Sequence, residues 1–123
     1  DEFGPNTKNR ILKSANYTVL LADSGKVIYV DTDAVVLTMS AIATLLSGFE
    51  VTVVNIAGDG VALVEIDPNS SEVMSGGCGL AAGTGGQKLS NTKATAKRGD
   101  FVKIAGNATG FSTISQRGIW AMA

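Results

Sequence analysis

Short runs of apolar and β-branched residues, each closed after about four to eight positions by a turn signal, leave this chain little choice but strands. The segment Phe49-Glu50-Val51-Thr52-Val53-Val54-Asn55-Ile56 shows it most clearly. Phe49, Val51 and Val53 fall on one face and Glu50, Thr52 and Val54 on the other, the period of a pleated strand. Gly58-Asp59-Gly60 follows as a tight turn, and Val61 to Asp67 reads as the return strand of a β-hairpin, ended by Pro68. Tyr17 to Ala22 is a further strand candidate, closed by Asp23-Ser24-Gly25. Val27 to Val30 comes directly after it, so these two segments are expected to pair. Ala34 to Met39, Thr92 to Ala96, Phe101 to Ala105 and Phe111 to Ser115 complete the set, with Ile119-Trp120-Ala121 as an apolar finish.

Only Ser40 to Gly48 has helical character: Ser40 can cap its start, Ile42, Leu45 and Leu46 share a face, and Gly48 can close it. Two turns are the most it allows, a short helix or 3-10 segment. Met74 to Gln87 contains six glycines in fourteen residues and reads as a long loop. The expected fold is therefore mainly β, a compact β-sandwich or β-barrel-like domain. Residues 1 to 15 are polar and without period, and form an expected N-terminal arm; residues 16 to 123 form one β domain. In that arm the apolar pair Ile11-Leu12 could dock as a strand, ordering against a neighbour.

Function is narrowed first by what the composition lacks. The chain has no histidine, which removes Ser-His-Asp and Cys-His nucleophilic sites, histidine bases and histidine-bound metals together. Its one cysteine, Cys78, excludes an internal disulfide and has no basic neighbour to activate a thiolate. Gly77-Cys78-Gly79-Leu80-Ala81-Ala82 matches G-x-G-x-x-A, yet Gly83, Gly85 and Gly86 would break the helix that such a fingerprint must open. Asp31 and Asp33 resemble the start of a calcium loop, but neither the glycine nor the closing glutamate follows. Glu65 and Asp67 alternate on one strand face without a second acidic partner. Arg98-Gly99-Asp100 spells an adhesion tripeptide that ordinary turn chemistry also explains. No catalytic, metal or cofactor residue emerges, and the chain is not expected to be an enzyme.

A net charge of −1, with lysines and arginines spread out rather than striped, argues against direct nucleic-acid binding. No apolar run approaches the roughly 20 residues of a membrane-spanning helix. Asp1-Glu2-Phe3-Gly4-Pro5 has neither the basic nor the apolar region of a signal peptide.

The order of the segments carries a resemblance. Tyr17-Thr18-Val19 with Asp23-Ser24-Gly25-Lys26, then Val36 to Ala43, Gly48-Phe49-Glu50-Val51-Thr52-Val53, Val64-Glu65-Ile66-Asp67-Pro68-Asn69, Arg98-Gly99-Asp100-Phe101-Val102 and Trp120 stand in sequence. Over residues 15 to 121 this resembles the small β modules of tailed phages, which occur as head decoration proteins and in tail-fibre or tailspike domains. The chain departs from them at Asn69-Ser70, where the module usually has glycine, and in the Gly-rich loop. The resemblance implies a homotrimer that decorates the outer surface of the virion capsid, made in the host cytoplasm and clamping neighbouring major capsid subunits. Under it, Thr7, Lys8, Asn9, Arg10, Ile11 and Leu12, with the Gly-rich loop, are the expected capsid contacts, and Trp120 the expected subunit-packing residue. The alternative within the same resemblance is a receptor- or glycan-binding tip of a tail fibre.

Overall fold

The computed structural model describes residues 9–75 and 84–122. Eleven strands and one helical turn follow each other as β1 (Arg10–Lys13), β2 (Tyr17–Val19), β3 (Val27–Val30), β4 (Val35–Met39), α1 (Ile42–Leu45), β5 (Glu50–Asn55), β6 (Val64–Asp67), β7 (Val73–Ser75), β8 (Leu89–Asn91), β9 (Asp100–Gly106), β10 (Gly110–Arg117) and β11 (Trp120–Met122). Short 3-10 turns cover Leu21–Asp23 and Lys93–Thr95. The strands form a six-stranded sheet, β1-β3-β5-β9-β10-β7, and a five-stranded sheet, β11-β8-β6-β4-β2. The fold is the expected mainly β, two-sheet sandwich with one short helix.

The path between strands is not the expected one. Through β6 the chain changes sheet at every connection, so each strand pairs in parallel with the strand after next. β1 pairs with β3 and β3 with β5; β2 pairs with β4 and β4 with β6. Neither expected hairpin forms: β2 and β3 lie in different sheets, and so do β5 and β6. The turn at Asp23 explains the first case. The buried Asp23 carboxylate accepts the Leu20 N–H at 2.9 Å and the Tyr17 hydroxyl at 2.7 Å, which bends the chain into a 3-10 turn and carries it across to the other sheet. Antiparallel pairing appears only later, where β9 joins β5 and β10 folds back on β9, and where β8 joins β6 and β11 joins β8.

One core fills the space between the sheets. Ile28, Val30, Val51, Val53, Val102, Ile104 and Phe111 meet Val19, Leu37, Met39, Val64, Ile66, Leu89 and Trp120 across it. Each strand contributes alternate residues, as the period-two pattern requires. Thr92–Ala96 is not a strand but contains the second 3-10 turn, with Leu89–Asn91 pairing just before it. At α1 neither expected cap operates. Ser40 Oγ donates to the Val19 carbonyl at 2.7 Å, while both Glu72 carboxylate oxygens accept the Ile42 N–H at 3.1 and 3.0 Å. The helix is closed by Leu46, not Gly48, with the left-handed angle φ 69°.

Four of the expected contact residues have places in the sandwich itself. Arg10, Ile11 and Leu12 lie in β1, which pairs with this chain's own β3. The reason is burial, since Ile11 packs against the core. Trp120 is 3% exposed and belongs to the same core, its indole N–H donating to the Arg117 carbonyl at 3.0 Å. The ring therefore has almost no surface left for a second subunit.

Candidate functional site

At one end of the sandwich a polar cluster ties the sheets together. Asn55 on β5 and Asp100 on β9 point inward from the six-stranded sheet, and Asn91 on β8 points inward from the other; all three are buried. Asn55 Nδ2 donates to Asn91 Oδ1 at 2.8 Å and to the Ala62 carbonyl at 3.2 Å. Asn91 Nδ2 donates in turn to Asp100 Oδ2 at 3.2 Å and to the Ile119 carbonyl at 3.1 Å. The Lys97 N–H reaches the same carboxylate oxygen at 2.9 Å, and the Ala57 N–H reaches Asn55 Oδ1 at 3.1 Å. Every amide and carboxylate group in the chain of bonds is thus used, which is the condition for a buried network to stabilise. It is a staple between layers and offers no open group for chemistry.

The motifs singled out in the sequence do not assemble into a site. Asp100 of Arg98-Gly99-Asp100 is 2% exposed and engaged in the staple, so the tripeptide is not displayed as a ligand. Asp31 accepts Ser14 and Thr32 hydroxyls, which hold its carboxyl below the usual range. Asp33 accepts the Leu63 N–H at 2.9 Å and Lys93 Nζ at 2.9 Å, and these hold it low too, the backbone bond most. Each aspartate anchors a different loop. Glu65 and Asp67 sit on the solvent face of the five-stranded sheet, where Glu65 accepts the Ser90 hydroxyl at 3.2 Å. Among the described residues no three His, Cys, Asp or Glu side chains group as metal ligands. No helix among them is long and apolar enough to cross a membrane. Thr7, Lys8, Cys78 and residues 76 to 83 of the Gly-rich loop, which hold the G-x-G-x-x-A match, lie outside the described residues.

Among the described residues Tyr17 is the group driven far from its ordinary value. Burial, then its hydrogen bond to Asp23, then the negative charge of that carboxylate push the phenol up to about 12. Lys13 lies over its ring at 3.8 Å, and Lys26 pairs with the other oxygen of Asp23 at 3.5 Å. The cluster fixes the crossing from β2 to β3 and is structural.

What remains is a surface. On the solvent side of the six-stranded sheet the strand register aligns Leu12, Tyr29, Val54 and Phe101 in one row across β1, β3, β5 and β9. The next row runs Arg10, Val27, Thr52 and Lys103, and Arg117 of β10 lies beside Phe101. Next to Thr52 is a shallow cavity of about 110 Å³ lined by Gly25, Lys26, Glu50, Val51, Thr52 and Lys103. The sequence contained a signal for this face: Val27-Ile28-Tyr29-Val30 and Val53-Val54 are apolar on both parities, the mark of strands with partners on both faces.

No known protein family matches this sequence, and no curated protein matches it either.

Proposed function

We propose that this chain is a structural virion protein, a homotrimeric decoration protein that stabilises a phage head by clamping neighbouring major capsid subunits. The reading rests on the resemblance over residues 15 to 121, and one structural observation supports it. Part of the apolar surface left outside the core, the exposed Leu12 with the half-buried Tyr29, Val54 and Phe101, lies in one row across a sheet face, which suits contact with another protein surface better than it suits a small substrate. A trimer touching several capsid subunits at once holds through effective concentration, without strong single contacts.

The test is direct. The purified chain should sediment as a trimer and co-sediment with expanded heads that lack their own decoration protein. A monomer that ignores such heads defeats the proposal.

A second reading, the glycan-binding tip of a tail fibre, is favoured by one observation: Tyr29 and Phe101 lie on the solvent side of the sheet, where aromatic rings could stack on sugars. Retention on a glycan array, abolished by Tyr29→Ala, would decide for it.

A further inference from the structure

We infer that Asn69 is a site of spontaneous covalent modification, converting to isoaspartate through a cyclic imide, and that the change is carried to α1 through Glu72. The Ser70 backbone nitrogen attacks the Asn69 side-chain carbon Cγ. Its proton leaves with the departing amine as ammonia, and a five-membered imide closes. Water then opens the imide at either carbonyl. Opening at the backbone carbonyl leaves isoaspartate, with the main chain running through the former side chain; opening at the other gives ordinary aspartate. Either product exchanges a neutral amide for a carboxylate. The chemistry needs no partner protein.

Two conditions must hold: the side-chain amide is free to swing, and the next N–H is not committed to an acceptor. The other described asparagines fall short. Asn55 and Asn91 are buried in the staple. Asn16 Oδ1 accepts the Val36 N–H at 2.9 Å. Asn107 is held at both ends, Nδ2 donating to the Ser112 hydroxyl at 2.8 Å and Oδ1 accepting the Thr109 N–H at 2.9 Å. Asn9 precedes Arg10, whose bulk and place in β1 hinder the approach. Asp59-Gly60, the least crowded pair by sequence, is locked as well. Gly60 N–H donates to the Ala96 carbonyl at 2.8 Å, and Asp59 Oδ1 accepts the Arg98 N–H at 2.9 Å.

Asn69 meets both conditions. Among the described residues its side chain makes no hydrogen bond, and the Ser70 N–H has no acceptor. Ser70 is small and exposed, and holds φ 50°, a region that glycine suits and other residues enter at a cost. The turn over residues 69–72 is closed by the Glu72 N–H on the Asn69 carbonyl at 2.9 Å, a surface bond that opens readily.

Glu72 connects this turn to two other segments. Its carboxylate accepts the Ile42 N–H at 3.1 and 3.0 Å at the start of α1, and its carbonyl accepts the Gly86 N–H at 3.2 Å. Isoaspartate lengthens the main chain just ahead of Glu72 and displaces the carbonyl that its N–H reaches. α1 is a single turn with no side-chain bond from its own N-cap, so it depends on the Glu72 carboxylate.

The experiment ages the full chain over weeks in mildly alkaline buffer, folded and in urea, and maps its proteolytic peptides by mass spectrometry. Asn107-Ala108 is the reference, because serine and alanine crowd the attacking nitrogen similarly. In the folded chain Asn69 should convert at least about tenfold faster than Asn107, roughly the rate effect of one hydrogen bond, with isoaspartate in excess over aspartate. In urea the two rates should converge, and Asp59 should begin to isomerise. Ser70→Gly, which fits the positive φ, should speed the folded reaction. Asn69→Gln should stop it, because glutamine closes a six-membered ring far more slowly. Hydrogen exchange at the Leu45 and Leu46 N–H groups, which donate to the Ala41 and Ile42 carbonyls, should be faster in the aged chain than in the fresh one. In Asn69→Gln, ageing should leave it unchanged.

Asn107 keeping pace with Asn69 in the folded chain would overturn the assignment of the site. The same gap persisting in urea would overturn its structural basis, since sequence alone would then set the rate. Unaltered exchange at Leu45 and Leu46 after conversion would overturn the link to α1.

Discussion

At the scale of single residues, the inter-sheet staple has the clearest consequences. Replacing Asn91 with Ala would leave the Asn55 amide without one of its two acceptors and the Asp100 carboxylate without one of its donors, both buried. An unsatisfied buried polar group costs about 1–3 kcal/mol. Asn91→Ala should therefore lose about 3 kcal/mol in urea denaturation. Gly118 serves the same staple from outside: at φ +94°, a Cβ there would run into the Asp100 carboxylate. Leu46 is the opposite case. It holds φ 69° and ψ 161°, a region that suits glycine, with its side chain 60% exposed. Leu46→Gly should accordingly raise stability by about 1 kcal/mol, read from the same denaturation curves. Tyr17 makes a prediction in pH. Its phenol is raised in the folded state, so its contribution to stability is complete below pH 10, where an ordinary tyrosine begins to ionise, and is lost as pH rises through about 12. Absorbance titration near 295 nm should show a late tyrosine component, missing in Tyr17→Phe, and the variant should lose the wild type's extra stability loss above pH 10. None of these roles was legible beforehand. Asn55 stood within an apolar run and Asn91 in a polar stretch, both as ordinary polar residues, and the bond between them joins strands 36 residues apart in the chain.

At the scale of elements, strands were legible and their pairing was not. The alternation at Phe49 to Ile56 put Phe49, Val51 and Val53 on one face, because a pleated strand obliges alternate residues to share a face, and that face is the buried one. β9 and β10 were likewise legible from their apolar runs, and they do fold back on each other. Pairing failed at β2–β3 and β5–β6 because a short connection between two strands can do either of two things. It can reverse the chain within one sheet, or step across to the facing sheet about 10 Å away. The choice is made by burial of Asp23 with Tyr17 in the first case, and in the second by the parallel partner β4 waiting for β6. The arm shows the same limit. Residues 1 to 15 looked uniform, yet β1 is an edge strand with Ile11 against the core. Deletion of residues 1 to 8 should leave the melting curve unchanged, since it removes nothing from the described sheets. Deletion of residues 1 to 12 should lower stability by about 2 kcal/mol, chiefly through the buried part of Ile11. Paired melts of the two truncations check this, and equal melts would show that β1 contributes nothing to the sandwich.

At the scale of the molecule, the question is whether the two sheets are one cooperative unit. Neither sheet has a core of its own, because every buried apolar side chain of the cluster lies in the single layer between them. The chain also passes repeatedly from one sheet to the other through β6, so separating the layers would break nearly all of these connections at once. The staple of Asn55, Asn91 and Asp100 adds a bond between layers that cannot be exchanged for water without opening that end. A sandwich built in this way should unfold in one step. Trp120 reports on the five-stranded sheet, and the far-ultraviolet circular dichroism reports on both. Their urea transitions should coincide in midpoint and slope. If tryptophan fluorescence changed at lower urea than the circular dichroism, β8 and β11 would be peeling from the sandwich before the rest. That result would contradict the single-unit account at the level of the whole chain. Coincident transitions in Asn91→Ala as well, shifted together to lower urea, would show that the staple strengthens the contact between layers without being the only thing that couples them.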